Sequence, residues 1–170
     1  MIKLPLPNEY NEFYRGYIEA IEDEDVLVCL KKQLKSIPDL LWKIPEEKQE
    51  FAYADDKWTV KEVVQHINDI ERVFSFRALS FARGDKQDMP GMDQDVYMAN
   101  IDTSKRDFTK MIEEFVSLRI ATICLLEDLT EEQLTIFGTA SGFPVSVRAL
   151  AAMTAGHAQH HINIIKERYL

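Results

Sequence analysis

WTVKEVVQHINDIERVFSFRAL, from Trp58 to Leu79, opens with the punctuation of a long helix. Thr59 and Glu62 stand in the T-x-x-E spacing of a capping box, where each side chain satisfies a backbone N–H that the first helical turn leaves without a partner. Trp58 and Val63 flank that box as a hydrophobic staple. Gly84 supplies a left-handed stop, so the spacing predicts a helix over Thr59–Arg83.

Three more segments carry the same three- and four-residue period. One runs from about Asp25 to Ile44 through Val26, Leu27, Leu30, Leu34, Ile37 and Leu41, with Pro38 inside it as an expected kink. Another runs from about Thr103 to Asp128 through Phe108, Ile112, Phe115, Leu118, Thr122 and Leu125, and the last starts near Ser146 and reaches almost to Leu170. The alternating period of a strand is absent, so the expected class is all-α with essentially no sheet. Residues 1–170 read as one domain, with residues 1–22 (Tyr10, Phe13, Tyr14, Tyr17) an aromatic arm packed on a four-helix bundle. GDKQDMPGMDQDVYMAN, residues 84–100, is the longest connection and has the length for a crossover rather than a hairpin turn.

Composition narrows the function. Twenty Lys and Arg against 29 Asp and Glu leave a net charge of -9, which repels a phosphate backbone, and no basic patch offsets it, so no nucleic-acid partner is expected. No apolar run approaches the roughly 20 residues of a membrane span, and MIKLPLPNEY lacks a signal peptide's apolar stretch. A cytoplasmic protein with no membrane contact is expected. The two cysteines, Cys29 and Cys124, sit in apolar helical patterns and read as buried free thiols.

Four histidines occur in the chain, and three of them fall within GHAQHHINII on the last helix. A stripe through Val147, Leu150, Thr154, His157, His161, Ile164 and Arg168 puts His157 and His161 on the inward seam. Two imidazoles there cost about 1–3 kcal/mol for each ring nitrogen left unpaired, and a shared divalent metal ion removes that cost. His66, about two turns into the Thr59 helix and at the edge of its apolar stripe, completes a three-histidine set. A helix turns about 100° per residue, so His160 lies about 100° from His161, too far round to join the same ion. Ala158 and Gln159 stand where H-E-x-x-H would place its glutamate, so zincin-type proteolysis is unsupported. Asp69, one turn after His66, is the candidate general base or the carboxylate that orients the His66 ring, with Glu62 a lesser candidate. Glu71 falls on the other side of the helix and is expected to pair with Arg77 or Arg119.

Taken with FARGD (81–85), EEFVSLRIATICLLEDL (113–129) and GHAQHHINIIKERYL (156–170), the Trp58–Leu79 stretch resembles the DinB-like (YfiT-like) family of metal-binding four-helix-bundle proteins over nearly the whole chain. That resemblance implies helices in up-down-down-up order, with a long crossover between the second and third. It also implies a three-histidine metal site facing a cleft, with ligands at His66, His157 and His161. Nickel or zinc as the metal, a homodimer, and hydrolase or thiol-transferase chemistry are implied too. Tyr10, Tyr14, Met89 and Met92 could furnish an apolar dimer contact.

Two functions follow as expectations. In one, the chain is an enzyme acting on a small-molecule substrate, in which the metal activates water or a low-molecular-weight thiol. In the other, the ion only staples two helices of a stress-induced structural protein, a reading that a closed fourth coordination position would favour.

Overall fold

A computed structural model describes residues 1–170. The short helix α1 (Arg15–Glu19) precedes α2 (Val26–Leu41), α3 (Glu46–Gln49) and α4 (Val60–Ala82). After the crossover, which holds α5 (Gln94–Ala99), come α6 (Phe108–Glu127), α7 (Glu131–Leu134) and α8 (Val147–Ile164).

The capping box forms as spelled: Glu62 N donates to Thr59 Oγ1 at 3.2 Å, and Thr59 N donates to Glu62 Oε2 at 2.7 Å. Asp25 caps α2 through Leu27 N, and Ser146 caps α8 through Ala149 N. Two segments are less continuous than their period implies. Thr103–Lys105 is a separate 3-10 turn, because Asp107 starts α6 by capping Lys110 N. At the other end, Ile165–Tyr169 widens into a single π-helical turn.

Side-chain pairs fix the helix directions. Asn68 Nδ2 donates to Met111 O at 3.0 Å and Arg72 pairs with Glu114, so numbers rise together along α4 and α6 and the two are parallel. Lys31 meets Glu127 and Gln33 meets Arg119, so α2 and α6 are antiparallel. Tyr169 donates to Trp58 O while His157 meets His66, so α4 and α8 are antiparallel as well. The order is therefore up-down-down-up. Parallel α4 and α6 require the chain to travel back the length of α4 between them, which is what the crossover does.

The all-α expectation of essentially no sheet holds, with one small two-stranded hairpin as its exception. Phe137–Ala140 (β1) and Phe143–Ser146 (β2) form an antiparallel hairpin across a Ser141-Gly142 turn, and both turn residues have positive φ, 55° and 81°. Four-residue strands are too short to show alternation, although the Ser-Gly dipeptide was a turn signal. Gly138 is required here because a Cβ would fall 2.3 Å from the Phe81 ring, so the strand lies flat on the end of α4. Met89 of the crossover bonds Thr139 and Ser141, tying the crossover to this hairpin.

Two apolar clusters fill the bundle. One gathers Leu30, Phe74, Leu126, Leu150 and Met153 towards the hairpin, and the other gathers Ile37, Ile67, Phe115 and Ile162 towards the opposite end. Buried polar side chains lie at intermediate height: Gln33, His66, Glu71, Arg119 and His157. Arg119 is wholly buried and grips both oxygens of Glu71 through Nε and Nη2, at 2.7 and 2.9 Å, while its Nη1 donates to Gln33 Oε1. Gln33 in turn donates to Ala155 O, so one network touches all four long helices. Of the two arginines expected to pair with Glu71, Arg119 is the one that does.

The arm packs on the bundle, with Glu9 accepting from Arg148 and Ser146. Met89 is buried in the cluster towards the hairpin, and Tyr10, Tyr14 and Met92 pack against it half-buried, so intramolecular packing takes up much of the apolar surface expected for a dimer contact. Cys29 is buried, but Cys124 is exposed, correcting the reading of two buried thiols. No helix is long and apolar enough to cross a membrane.

Candidate metal centre

The capping box at Thr59 starts α4 so that His66 arrives on the face packed against α8, and the inward seam of α8 carries His157 and His161. One ring nitrogen from each of the three histidines lies within 4.8 Å of the others. Nε2 of His66 is 2.9 Å from Nε2 of His157. The edge of a tetrahedron with metal–nitrogen bonds of about 2.0–2.1 Å is about 3.3 Å, so the observed separations bracket it.

Electrostatics keep this set neutral. Burial pushes His66 down to about 4 and His161 down to about 3. It holds His157 well below its ordinary value, with His161 and His66 adding to the effect. Near neutral pH the rings are unprotonated, the form that binds a transition ion. His66 Nδ1 is buried with no partner. An orphaned ring nitrogen is costly in a core, and the paired Nε2 atoms of His66 and His157 are held by a hydrogen bond in which only one of them can donate. The same arrangement suits ring nitrogens that face one shared cation. All three donors are imidazole nitrogens, so the set fits a borderline ion such as zinc or nickel better than magnesium or calcium.

Two aromatic side chains close over the cluster. Trp58 packs on the His66 ring with centroids 4.8 Å apart, and Tyr17 meets His157 edge-on at 5.3 Å. Tyr17 comes this close because Gly156 has no side chain; a Cβ there would fall 1.9 Å from the Tyr17 carbonyl oxygen. A glycine inside a helix costs roughly 1 kcal/mol relative to alanine, and that cost was the sequence signal for a close approach beside His157. His161 alone of the three lines a cleft, of about 250 Å3, together with Tyr53, Lys57, Trp58, Asp95 and Tyr169. A larger groove of about 1060 Å3 between α2 and α8 touches none of the three histidines.

The remaining candidates fall elsewhere. His160 is half-buried against Tyr17 and contributes no nitrogen to the cluster. Asp69 accepts a hydrogen bond from Gln65 at 2.8 Å and lies 3.7 Å from Arg72, towards α6, so it does not hydrogen-bond the His66 ring. Glu62 is occupied by the capping box.

Residues 30–165 match the family model described as the DinB superfamily. Among solved structures, YfiT from Bacillus subtilis, described as a probable metal-dependent hydrolase with an unusual four-helix bundle topology, superposes with a TM-score of 0.66 at 20% identity. The superposition covers 96% of this chain and 89% of that chain, a likeness of fold. No curated protein sequence matches. The matched span runs from within α2 to just past the end of α8 and encloses all three histidines, and the chain belongs to the DinB superfamily.

Proposed function

We propose that this protein is a metal-dependent enzyme, a hydrolase or a low-molecular-weight-thiol S-transferase, whose ion is held by His66, His157 and His161. The observation that carries the proposal is the asymmetry of the cluster: two neutral imidazoles are sealed in the bundle while the third lines an open cleft. A divalent ion held there, nickel or zinc, would supply Lewis-acid chemistry and lower the pKa of a water or thiol.

The chain's own residues then have distinct tasks. Trp58 and Tyr17 exclude water from the buried rings and fix their planes. His161 presents the open side of the site to the cleft. Lys57 and Asp95 on its wall bind polar groups of the substrate, and Tyr53 receives its apolar part. No Ser-His or Cys-His pair faces the cleft, and Cys29 is pushed up to about 11 by burial, so the nucleophile comes from the substrates. Asp69 is kept as a candidate base acting from the α6 side, where burial raises its carboxyl above the ordinary value in spite of Gln65. A cytoplasmic location, expected from the sequence's lack of a membrane span or signal stretch, and a homodimer, implied by the family resemblance, belong to the same proposal, and light scattering at micromolar concentration tests the dimer.

The test is metal analysis of protein purified without an affinity tag, followed by turnover of ester and amide substrates and of thiol–electrophile pairs. About one ion per chain and turnover abolished by chelation are expected. A metal-loaded protein inert towards every class would leave the ion a structural staple and contradict the enzyme.

A further inference from the structure

Arg77 lies on α4 towards the hairpin, outside the histidine cluster, and is 5% exposed. Its two hydrogen bonds both leave from Nη2, to Pro90 O at 2.6 Å and to Ser141 Oγ at 3.3 Å. Both acceptors are neutral. The chain's other guanidinium groups withdrawn from solvent are treated differently, since Arg119 is gripped by Glu71 and Arg148 by Glu9. No carboxylate acts on Arg77: burial lowers its pKa, and the titratable neighbours that oppose this are the hydroxyls of Tyr14 and Tyr97. A buried cation without a counter-charge is among the costliest arrangements in a protein interior.

Arg77 also walls a small cavity beneath the arm and the hairpin, shared with Asn11, Tyr14, Phe143, Leu150 and Met153. Asn11 already uses Oδ1 to accept from Phe13 N, which leaves its amide N–H groups as donors. The polar residues lining the cavity are Arg77, Asn11 and Tyr14, and no carboxylate residue is among them. The space is about 10 Å3, enough for one particle near the size of a water molecule and too little for phosphate or sulfate.

We infer that Arg77, Asn11 and Tyr14 form a binding site for a single monovalent anion of the halide class, with chloride the natural occupant. The anion supplies the missing counter-charge and pins together four segments that meet at Arg77. These are the arm through Asn11 and Tyr14, the crossover through Pro90, the hairpin through Ser141, and α4 itself. Ser141 holds a left-handed backbone at φ 55°, a strain that its contacts with Arg77 and Met89 offset.

The test pairs a bromide-soaked crystal with melting curves in which chloride is replaced, at equal ionic strength, by the bulky 2-(N-morpholino)ethanesulfonate. A bromide peak against the Arg77 guanidinium is expected, together with a melting temperature higher by roughly 3–6 °C when chloride is about tenfold above its dissociation constant. Arg77→Met should lose both the peak and the chloride dependence while still melting cooperatively. Absence of bromide at Arg77 in the unaltered protein overturns the site whatever the variant does. Bromide at Arg77 with equal melting in both salts marks an adventitious ion only, and likewise overturns the inference.

Discussion

The backbone of Tyr17 rests directly on Gly156, one residue before His157, so closely that a Cβ on Gly156 would fall 1.9 Å from the Tyr17 carbonyl oxygen. The arm and the histidine cluster are therefore mechanically linked, and the position can be probed by adding one methyl group.

Gly156→Ala should lower stability by about 1–3 kcal/mol as the arm is pushed off α8. This outcome opposes helix propensity, which favours alanine by roughly 1 kcal/mol. Denaturant unfolding together with hydrogen exchange at Arg15–Glu19 checks it. A variant as stable as the parent, with α1 equally protected, would mean that the contact does not hold the arm.

The Arg119–Glu71 pair should behave as a buried ion pair. Glu71→Ala strands a wholly buried guanidinium and should cost about 3–5 kcal/mol, whereas replacing both partners with apolar residues of similar volume should recover most of that loss. Equilibrium unfolding of the single and double variants measures it. A Glu71→Ala penalty below about 1 kcal/mol would show that water reaches the pair.

Stability of the metal-free protein should be level above about pH 6.5 and fall below it. The histidine rings are held below their ordinary value, His66 at about 4 and His161 at about 3. Between pH 6.5 and those values the unfolded chain binds protons that the native chain refuses, so stability decreases as pH drops. Glu9 acts lower on the scale. Burial raises its carboxyl, but its bonds to Arg148 and Ser146 outweigh that and hold it below 4.5. Its contribution is therefore present above about 4.5 and is lost as pH falls through the folded value. Chelator-treated protein unfolded at pH 7.5 and at pH 5.5 decides the histidine part; equal midpoints would contradict it.

Much of this molecule was legible from local chemistry. The Thr59–Glu62 box and the period of each stripe located the four long helices, because caps and one-sided burial leave their mark within a few residues. The His157/His161 spacing was equally local, and His66 joined it as the one histidine outside the last helix. What escaped depends on contacts distant in sequence. The hairpin is shaped by Gly138 lying on Phe81, and the break before α6 by Asp107 competing as a cap with residues that would otherwise continue the turn. Spacing alone sets Asp69 one turn from His66, but its carboxylate is drawn to Gln65 and Arg72 by packing against α6. Tyr17 over His157 was foreshadowed only by a glycine inside a helix. Helix directions followed in sequence from a family resemblance and in the structure from pairs such as Asn68 with Met111.

The most direct test of the histidine centre is the metal content of four single variants, measured on untagged protein against the parent. His66→Ala, His157→Ala and His161→Ala should each lose stoichiometric metal, because each removes one of the three ring nitrogens that lie within 4.8 Å of one another. His160→Ala should retain it, since that ring stands outside the cluster. Metal that survives His161→Ala but is lost in His160→Ala would contradict the account.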